Sequence, residues 1–341
     1  MATLDIFNGD AFSLTSLSSA IERTPYLPTF LGSLGIFTPE PVRQRSIWVD
    51  ERDGELNLIQ TSPNGAPPKE LDRDARKARA FQVPRIAKGT TLYAAEIAGL
   101  RAFGSESEQT VVMTEYMRRL QQVRNDLELT KEHMRLGALK GTVVDADGST
   151  VIYNYFTEFG IAAAADQTFD FTNTTADFPA FARGVKRGMI RSSKGAIPMT
   201  ASIHAIAGDG YFDAIISHPS VSKLWLNWQA AAELRGIDPF ESFTVGGVTF
   251  HNYRGTDDNS TVAVATNKAH FFPIGAPGVF SEVMAPADEF IPYVGAPGQS
   301  VYAMTIRDRD RDAWVRGELY SYPLFMCKRP EILRVSTGTL A

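Results

Sequence analysis

Residues 105–141 read SESEQTVVMTEYMRRLQQVRNDLELTKEHMRLGALKG. Met113, Tyr116, Leu120, Val123, Leu127, Thr130 and Met134 recur at alternating spacings of three and four, which puts them on one face of an α-helix. Neither Gly nor Pro occurs between Glu106 and Leu136. Ser105 offers a cap, Glu106 and Glu108 put acids in the first turn, and Gly141 follows Lys140 where a left-handed stop is expected. The pattern predicts one helix over 106–140, about 50 Å long, which exceeds what an ordinary compact domain needs. It is either a spine to which other parts are attached or a helix of a coiled coil or bundle.

Upstream, SIWVD (46–50) and LNLIQ (56–60) on one side and ARAFQVPRI (78–86) on the other alternate polar and apolar residues around SPNGAPP (62–68). Alternation on both sides of a Pro, Asn and Gly cluster predicts a long β-hairpin over 46–90 with a broad tip. The charged run KELDRDARKAR (69–79) lies between the tip and the return strand. A two-stranded ribbon carries too little core to stand alone in water, so the hairpin is expected to lie across a neighbouring molecule. Asn64, Lys69, Glu70, Arg73, Arg76 and Lys77 would then make inter-subunit contacts. The alternative is a surface loop that acts as a lid. Before it, TPYLP (24–28) and TPEP (38–41) forbid long helices, so residues 1–45 read as an extended, irregular arm.

Downstream of the spine, TVVD (142–145) and STVIYNYF (149–156) surround Ala146-Asp147-Gly148, a second hairpin with an Asp-Gly turn. Residues 177–192 predict a helix with Phe178, Phe181, Val185 and Met189 on one side and Arg183, Lys186 and Arg187 on the other. An α+β segment follows over about 195–300. It holds a short buried strand (SIHAIA, 202–207), a helix over 220–235 stopped by Gly236, a Gly-Gly hairpin (FTVGGVTF, 243–250) and Pro- and Gly-rich loops over 269–299. MTIRD (304–308) and ELYSYPLFMC (318–327) read as strands that return to the core.

The 341 residues, 44% hydrophobic and 21% charged, suffice for one large core or two linked ones. A net charge of −5 gives no basic footprint for tight nucleic-acid binding. The lone Cys327 cannot form an internal disulfide, which fits a reducing cytoplasm, and no apolar run is long enough to span a membrane.

The search for chemistry assigns no catalytic, cofactor or metal residue. There is no Gly-Lys dipeptide and therefore no P-loop. Gly208 and Gly210 are followed by Asp213 where a dinucleotide fingerprint needs its third glycine. No Gly-x-Ser-x-Gly elbow occurs. His133, His204, His218, His251 and His270 lack zinc spacing. Asp308, Asp310 and Asp312 mimic the start of a calcium loop, but Ala313 and Leu319 stand where Gly and Glu are required. The interleaved Arg307, Arg309 and Arg311 suit ion pairs across a subunit boundary or a solvated strand.

The last third carries a resemblance. FTVGGVTFHNYRG (243–255), FPIGAPGVF (272–280), MAPAD (284–288) and YPLFMCKRP (322–330), in this order behind the spine, resemble the phage capsid protein E family, that of the lambda-like major head protein. The resemblance implies the α+β Hong Kong phage type major capsid fold. Mapped here, it has an N-terminal arm (1–45), an E-loop hairpin (46–90), a P-domain (91–200) holding the spine helix, an A-domain (201–300) and a C-terminal return into the P-domain (301–341). Met113, Tyr116, Leu120, Val123, Leu127 and Met134 would pack the spine.

The implied function is a structural head protein that assembles into pentamers and hexamers of an icosahedral shell enclosing double-stranded DNA, bound without sequence specificity. A separate scaffolding protein, a portal and a decoration protein are the expected partners. The site of assembly would be the bacterial host cytoplasm and the final location the virion. Cofactors and membranes play no part in this reading. Its rivals are an encapsulin-like protein compartment of the same fold and, more remotely, an α+β hydrolase with a loop lid.

Overall fold

The computed structural model describes residues 30–52, 76–99, 108–222, 224–225, 242–253 and 262–340. From the N-terminal side come a one-turn helix α1 (Phe30–Ser33) and strands β1 (Thr38–Pro41), β2 (Ser46–Arg52), β3 (Arg76–Gln82) and β4 (Ile86–Tyr93). Helix α2 (Ala94–Gly99) and the spine α3 (Glu108–Lys140) follow. Next are β5 (Thr142–Val144), β6 (Val151–Asn154), α4 (Tyr155–Phe159), β7 (Gln167–Asp170) and α5 (Phe178–Ser192). The next segment holds β8 (Ser202–Ala207), α6 (Asp209–Ser217), β9 (Ser242–Val245), β10 (Val248–Asn252), β11 (Lys268–Ile274) and β12 (Phe280–Met284). The chain closes with β13 (Tyr302–Arg307), β14 (Trp314–Ser321), β15 (Pro323–Cys327) and β16 (Arg334–Thr339). This mixture of segregated helices and sheets is the expected α+β class.

The spine runs unbroken for 33 residues and stops at Gly141, whose φ is +82°. That left-handed conformation suits Gly, and a Cβ there would stand 2.3 Å from the Phe156 ring, so the stop is enforced twice over. The chain then turns back through β5 and β6, which pair antiparallel around the Asp-Gly turn. The expected strand through Tyr155 and Phe156 instead becomes α4. Asn154 caps it by accepting from the N–H groups of Phe156 and Thr157 at 3.1 and 3.3 Å.

A six-stranded mixed sheet, in the order β7-β16-β11-β8-β10-β9, forms the largest layer. Gly246 and Gly247, at φ +61° and +77°, make the two-residue turn between β9 and β10. Of the expected apolar face of α5, Phe178, Val185 and Met189 are buried, together with Ala182, while Phe181 is half-buried against the same core; Asp177 caps the helix. The helix expected over 220–235 lies mostly outside the described residues.

Two stretches read as loops or irregular chain are strands. The Pro/Gly-rich stretch 269–299 contains most of β11, a central strand, and all of β12. Pro273 is tolerated within β11 for a geometric reason. Gly208 N–H donates to Lys268 C=O, so even-numbered residues of β11 bond towards β8 and odd ones towards β16. Pairing with β16 ends at Phe271, so the N–H that Pro273 lacks had no partner to lose. The second stretch is TPEP in the arm, which forms β1 and lies parallel to β12 at the edge of a three-stranded sheet β1-β12-β15. Both prolines sit on an edge, where the ladder can spare their N–H groups.

A third sheet, β13-β14-β4, covers the first half of the spine. The Asp308–Ala313 segment proves to be the turn of its β13–β14 hairpin and not a continued strand. Asp308 accepts there from the N–H groups of Asp310, Arg311 and Ala313, and Arg307 pairs with Asp312 at 2.9 Å.

Candidate assembly surface

The hairpin between the arm and the spine forms as expected at its base. β2 and β3 pair antiparallel from Ser46↔Gln82 to Arg52↔Arg76, and Val83 N–H extends the ladder to Arg45 C=O at 2.8 Å. The run read as one strand to Ile86 is broken at Pro84, and Ile86–Tyr93 pairs with β14 in a different sheet. The near part of the hairpin rests on its own subunit. Phe81 is fully buried against Tyr153, Tyr155 and Phe159, while Ile47 and Val49 pack on the same core. Tyr153 hydroxyl both donates to Gln82 C=O and accepts from Gln82 N–H, at 2.8 Å each.

On the other face Trp48 is 70% exposed. It lines an open groove of about 600 Å³ with Val42, Ile47, Val49 and Val283, and the Glu40–Lys328 pair lies at the rim. Of the residues expected to make inter-subunit contacts, Arg76 and Lys77 lie on β3 opposite Arg52 and Glu51. Asn64, Lys69, Glu70 and Arg73 lie outside the described residues, as do 1–29 of the arm.

The spine residues fall into two groups. Tyr116, Leu120, Val123 and Leu127 are buried with Leu92, Val301, Ala303, Val315 and Leu319 in a separate small core. Tyr116 hydroxyl shares a 2.8 Å hydrogen bond with Thr305 Oγ1. Met134 is buried in the main core, whereas Met113 is half-buried near the start of the helix. One helix therefore skewers two cores, which gives physical content to the word spine.

Sequence reasoning missed the charged joint on the second half of that helix. Glu128, Lys131, Glu132 and Arg135 are all buried. Lys131 Nζ donates to Glu128 Oε1 at 3.1 Å and to Ser300 C=O and Oγ at 3.1 and 2.8 Å. Burial holds its ammonium below the ordinary lysine range, against the pull of Glu128 and Glu282. Glu132 Oε1 accepts from Leu31 N–H at 2.8 Å and from Tyr253 hydroxyl at 3.3 Å. Arg135 lies 3.6 Å from Glu132 and 3.7 Å from Glu282 and stacks over Phe325 at 4.9 Å. The joint thus ties α1 of the arm, the end of β10, the middle of β12, and β15 to the spine. The one available signal was the i, i+3 spacing of opposite charges at 128/131 and 132/135, which an exposed helix face shows equally well.

The described residues include no group of three or more His, Cys, Asp or Glu able to hold a metal. His204 and His251 stack at 5.1 Å and share a 2.8 Å hydrogen bond between Nδ1 and Nε2. Burial, reinforced by the neighbouring ring of His204, pushes His251 down to about 4. His218 is tied to Ser220 and to Asn173 C=O. Cys327 is fully buried, and burial pushes its thiol up to about 12, which makes it inert. No helix of the described residues is long and apolar enough to cross a membrane.

Comparison with known proteins agrees with a shell subunit. A major capsid protein of Salmonella phage Felix O1 is 26% identical over 362 aligned positions, covering 94% of this chain and 95% of that one. A major capsid protein of Pseudomonas phage KPP10 is 25% identical, covering 87% and 89%. Among solved structures, the capsid of cyanophage P-SCSP1u superposes with a TM-score of 0.51 at 8% identity, covering 94% and 92%. The capsid of myovirus XM1 superposes at 0.50 with 9% identity, covering 93% and 94%. At these identities the superpositions speak for the fold alone, which is the tailed-phage capsid fold. Residues 13–337 match the family described as phage major capsid protein E, and by that match across nearly its whole length the chain belongs to this family of structural, non-enzymatic capsid subunits.

Proposed function

We infer that this chain is the major head subunit of a tailed phage, which assembles with copies of itself into an icosahedral shell and remains as a component of the virion. The single observation that carries the reading is the family match over residues 13–337. In finer detail, the chain forms pentamers and hexamers around double-stranded DNA, assembled in the bacterial cytoplasm with a separate scaffolding protein, a portal and a decoration protein. The hairpin that starts at Ser46 is the E-loop, the spine with its small core belongs to the P-domain, and the β8–β12 region is the A-domain.

Physical economy supports a hairpin that reaches a neighbour. Stable shell contacts each bury on the order of 1,200–2,000 Å², and a ribbon adds such area without enlarging the subunit's own core. Beyond its base, the ribbon would also need a partner to be stable in water. The test follows from the register: Val83 N–H donates to Arg45 C=O, so odd-numbered residues of β2 make the hydrogen-bonded pairs, and Glu51 pairs with Lys77 in this way. Residues 52–76 can therefore be replaced by Asn-Gly, which closes a two-residue hairpin. The expected result is a soluble, folded subunit that fails to close shells by electron microscopy. Shells of normal size from this variant would overturn the E-loop assignment.

A further inference from the structure

The two stems of the β2–β3 hairpin are held in the same way. Arg45, where the chain enters, lies 3.4 Å from Asp288 and stacks over the Tyr322 ring at 5.0 Å. Arg85, where the chain leaves, donates through Nε to Glu289 Oε1 at 2.8 Å and stacks over the Tyr320 ring at 5.0 Å. Consecutive carboxylates on one loop and two tyrosines two residues apart therefore receive the two arginines side by side. Tyr322 hydroxyl also donates to Glu289, which joins the two halves. The loop itself is fixed from behind: Phe290 packs edge-on against Tyr320 at 4.9 Å, Tyr293 against Tyr302 at 4.7 Å, and Gly298 N–H donates to Val42 C=O at 2.9 Å.

From this geometry we propose that Arg45 and Arg85, with Asp288, Glu289, Tyr320 and Tyr322, form a double clamp that fixes the direction in which the hairpin leaves the subunit. The proposal rests on the reading of the hairpin as an inter-subunit arm and names what aims it. The chemistry suits a positioning role better than a stabilising one. All four charged side chains are between 32% and 43% exposed, so each pair alone is weak. A planar guanidinium that must satisfy a carboxylate and a ring face at once has few orientations left, whereas a lysine ammonium would be free to swing. Two such groups at the two stems resist rotation about both the hinge and the ribbon axis, which one anchor could not do. Phe81, buried against Tyr153, Tyr155 and Phe159, fixes where the hairpin sits but not the way it points. The same design makes the aim salt-sensitive, because exposed pairs are screened.

The test reads direction and not assembly. Glu51→Cys on β2 and Val151→Cys on the subunit body are spin-labelled in the full-length subunit; Cys327, fully buried, stays unlabelled. The parent carrying only these labels should give one narrow distance peak by pulsed electron resonance. Arg45→Ala with Arg85→Ala should lose it to a broad distribution at an unchanged melting temperature. Glu289→Gln, which keeps the side-chain volume, should broaden it less. Arg85→Glu should broaden it, and adding Glu289→Arg should restore a single peak. Arg183→Ala, on an exposed face of α5, should leave the peak as it was. A distribution that stays narrow in both the double-alanine and Glu289→Gln variants would overturn the clamp, as would broadening by Arg183→Ala of the same size. Shell size in the electron microscope, measured on the same variants, tests the inter-subunit reading of the hairpin separately.

Discussion

From Met113 to Leu127 the spine shows one face to a three-stranded sheet and the other to solvent, whereas from Lys131 to Leu139 every residue except His133 is buried. The first half is held by an apolar stripe with charges outside, including Glu115 with Arg118 and Arg119. The second half keeps its charges inside, at the joint of Glu128, Lys131, Glu132 and Arg135. The difference shows two ways of attaching a body to a rod. A stripe fixes a sheet by area and tolerates small sliding, while a buried ionic joint tolerates none, because a misplaced charge stays desolvated without a partner. The joint receives the arm, through Leu31, and the large sheet, through Tyr253, so it sits where several independent parts must register.

The largest effect is expected from a charge placed in the stripe. Leu120→Asp or Leu127→Asp buries an unpaired carboxylate at a cost of several kcal/mol, a large share of a marginal total. Soluble yield and melting should collapse, while Gln122→Ala, exposed on the same half, should melt like the parent. Equal tolerance at both kinds of position would remove the stripe from the comparison.

Next comes the joint. Glu132→Ala leaves Arg135 with a poorer set of partners and Leu31 N–H without its acceptor, and the expected loss is about 3–5 kcal/mol. Hydrogen exchange should show Leu31 losing protection first. A variant that melts like the parent would mean that the second half is held by its apolar contacts alone.

A smaller loss should follow from filling the gap between stripe and sheet. A Cβ on Gly317 of β14 would stand 2.7 Å from Leu120 Cδ2 and 2.8 Å from Tyr116 Oη. Gly317→Ala should therefore cost about 1–3 kcal/mol through overpacking. Adding Leu120→Val should recover part of it in the melting temperature.

The smallest effect belongs to the outer charges. Hydrogen bonds from Arg118, then Arg119, hold Glu115 down at about 2. A depressed carboxylate contributes stability that is present above its unfolded value near 4.5 and lost as pH falls through the folded one. The gap between parent and Glu115→Gln should be about 0.5 kcal/mol at neutral pH, after allowance for screening. It should persist to pH 4.5, vanish by about pH 2 and shrink in high salt. A gap that grew on acidification would reverse the sign of this account.

What the sequence determined by itself were the features whose cause is local. The spine, its Gly141 stop, the Asp-Gly and Gly-Gly hairpins and the apolar face of α5 all follow from periodicity, capping and turn chemistry that act within a few residues. The order of motifs after the spine also carried the family resemblance.

Tertiary structure decided what depends on partners distant in the chain. TPEP is a strand only because β12, some 240 residues later, offers an edge that does not need proline's N–H. Pro273 sits in a central strand only because β16 has already ended. Glu132 and Lys131 resemble surface charges in any local window, and only the arrival of Leu31, Tyr253 and Ser300 makes them a joint. Arg45 and Arg85 likewise become a pair only when residues 288–289 and 320–322 are folded against them. Local propensity weighs one residue against its neighbours, whereas the worth of a buried charge or a missing donor is set by whatever packs opposite, which the local sequence does not contain.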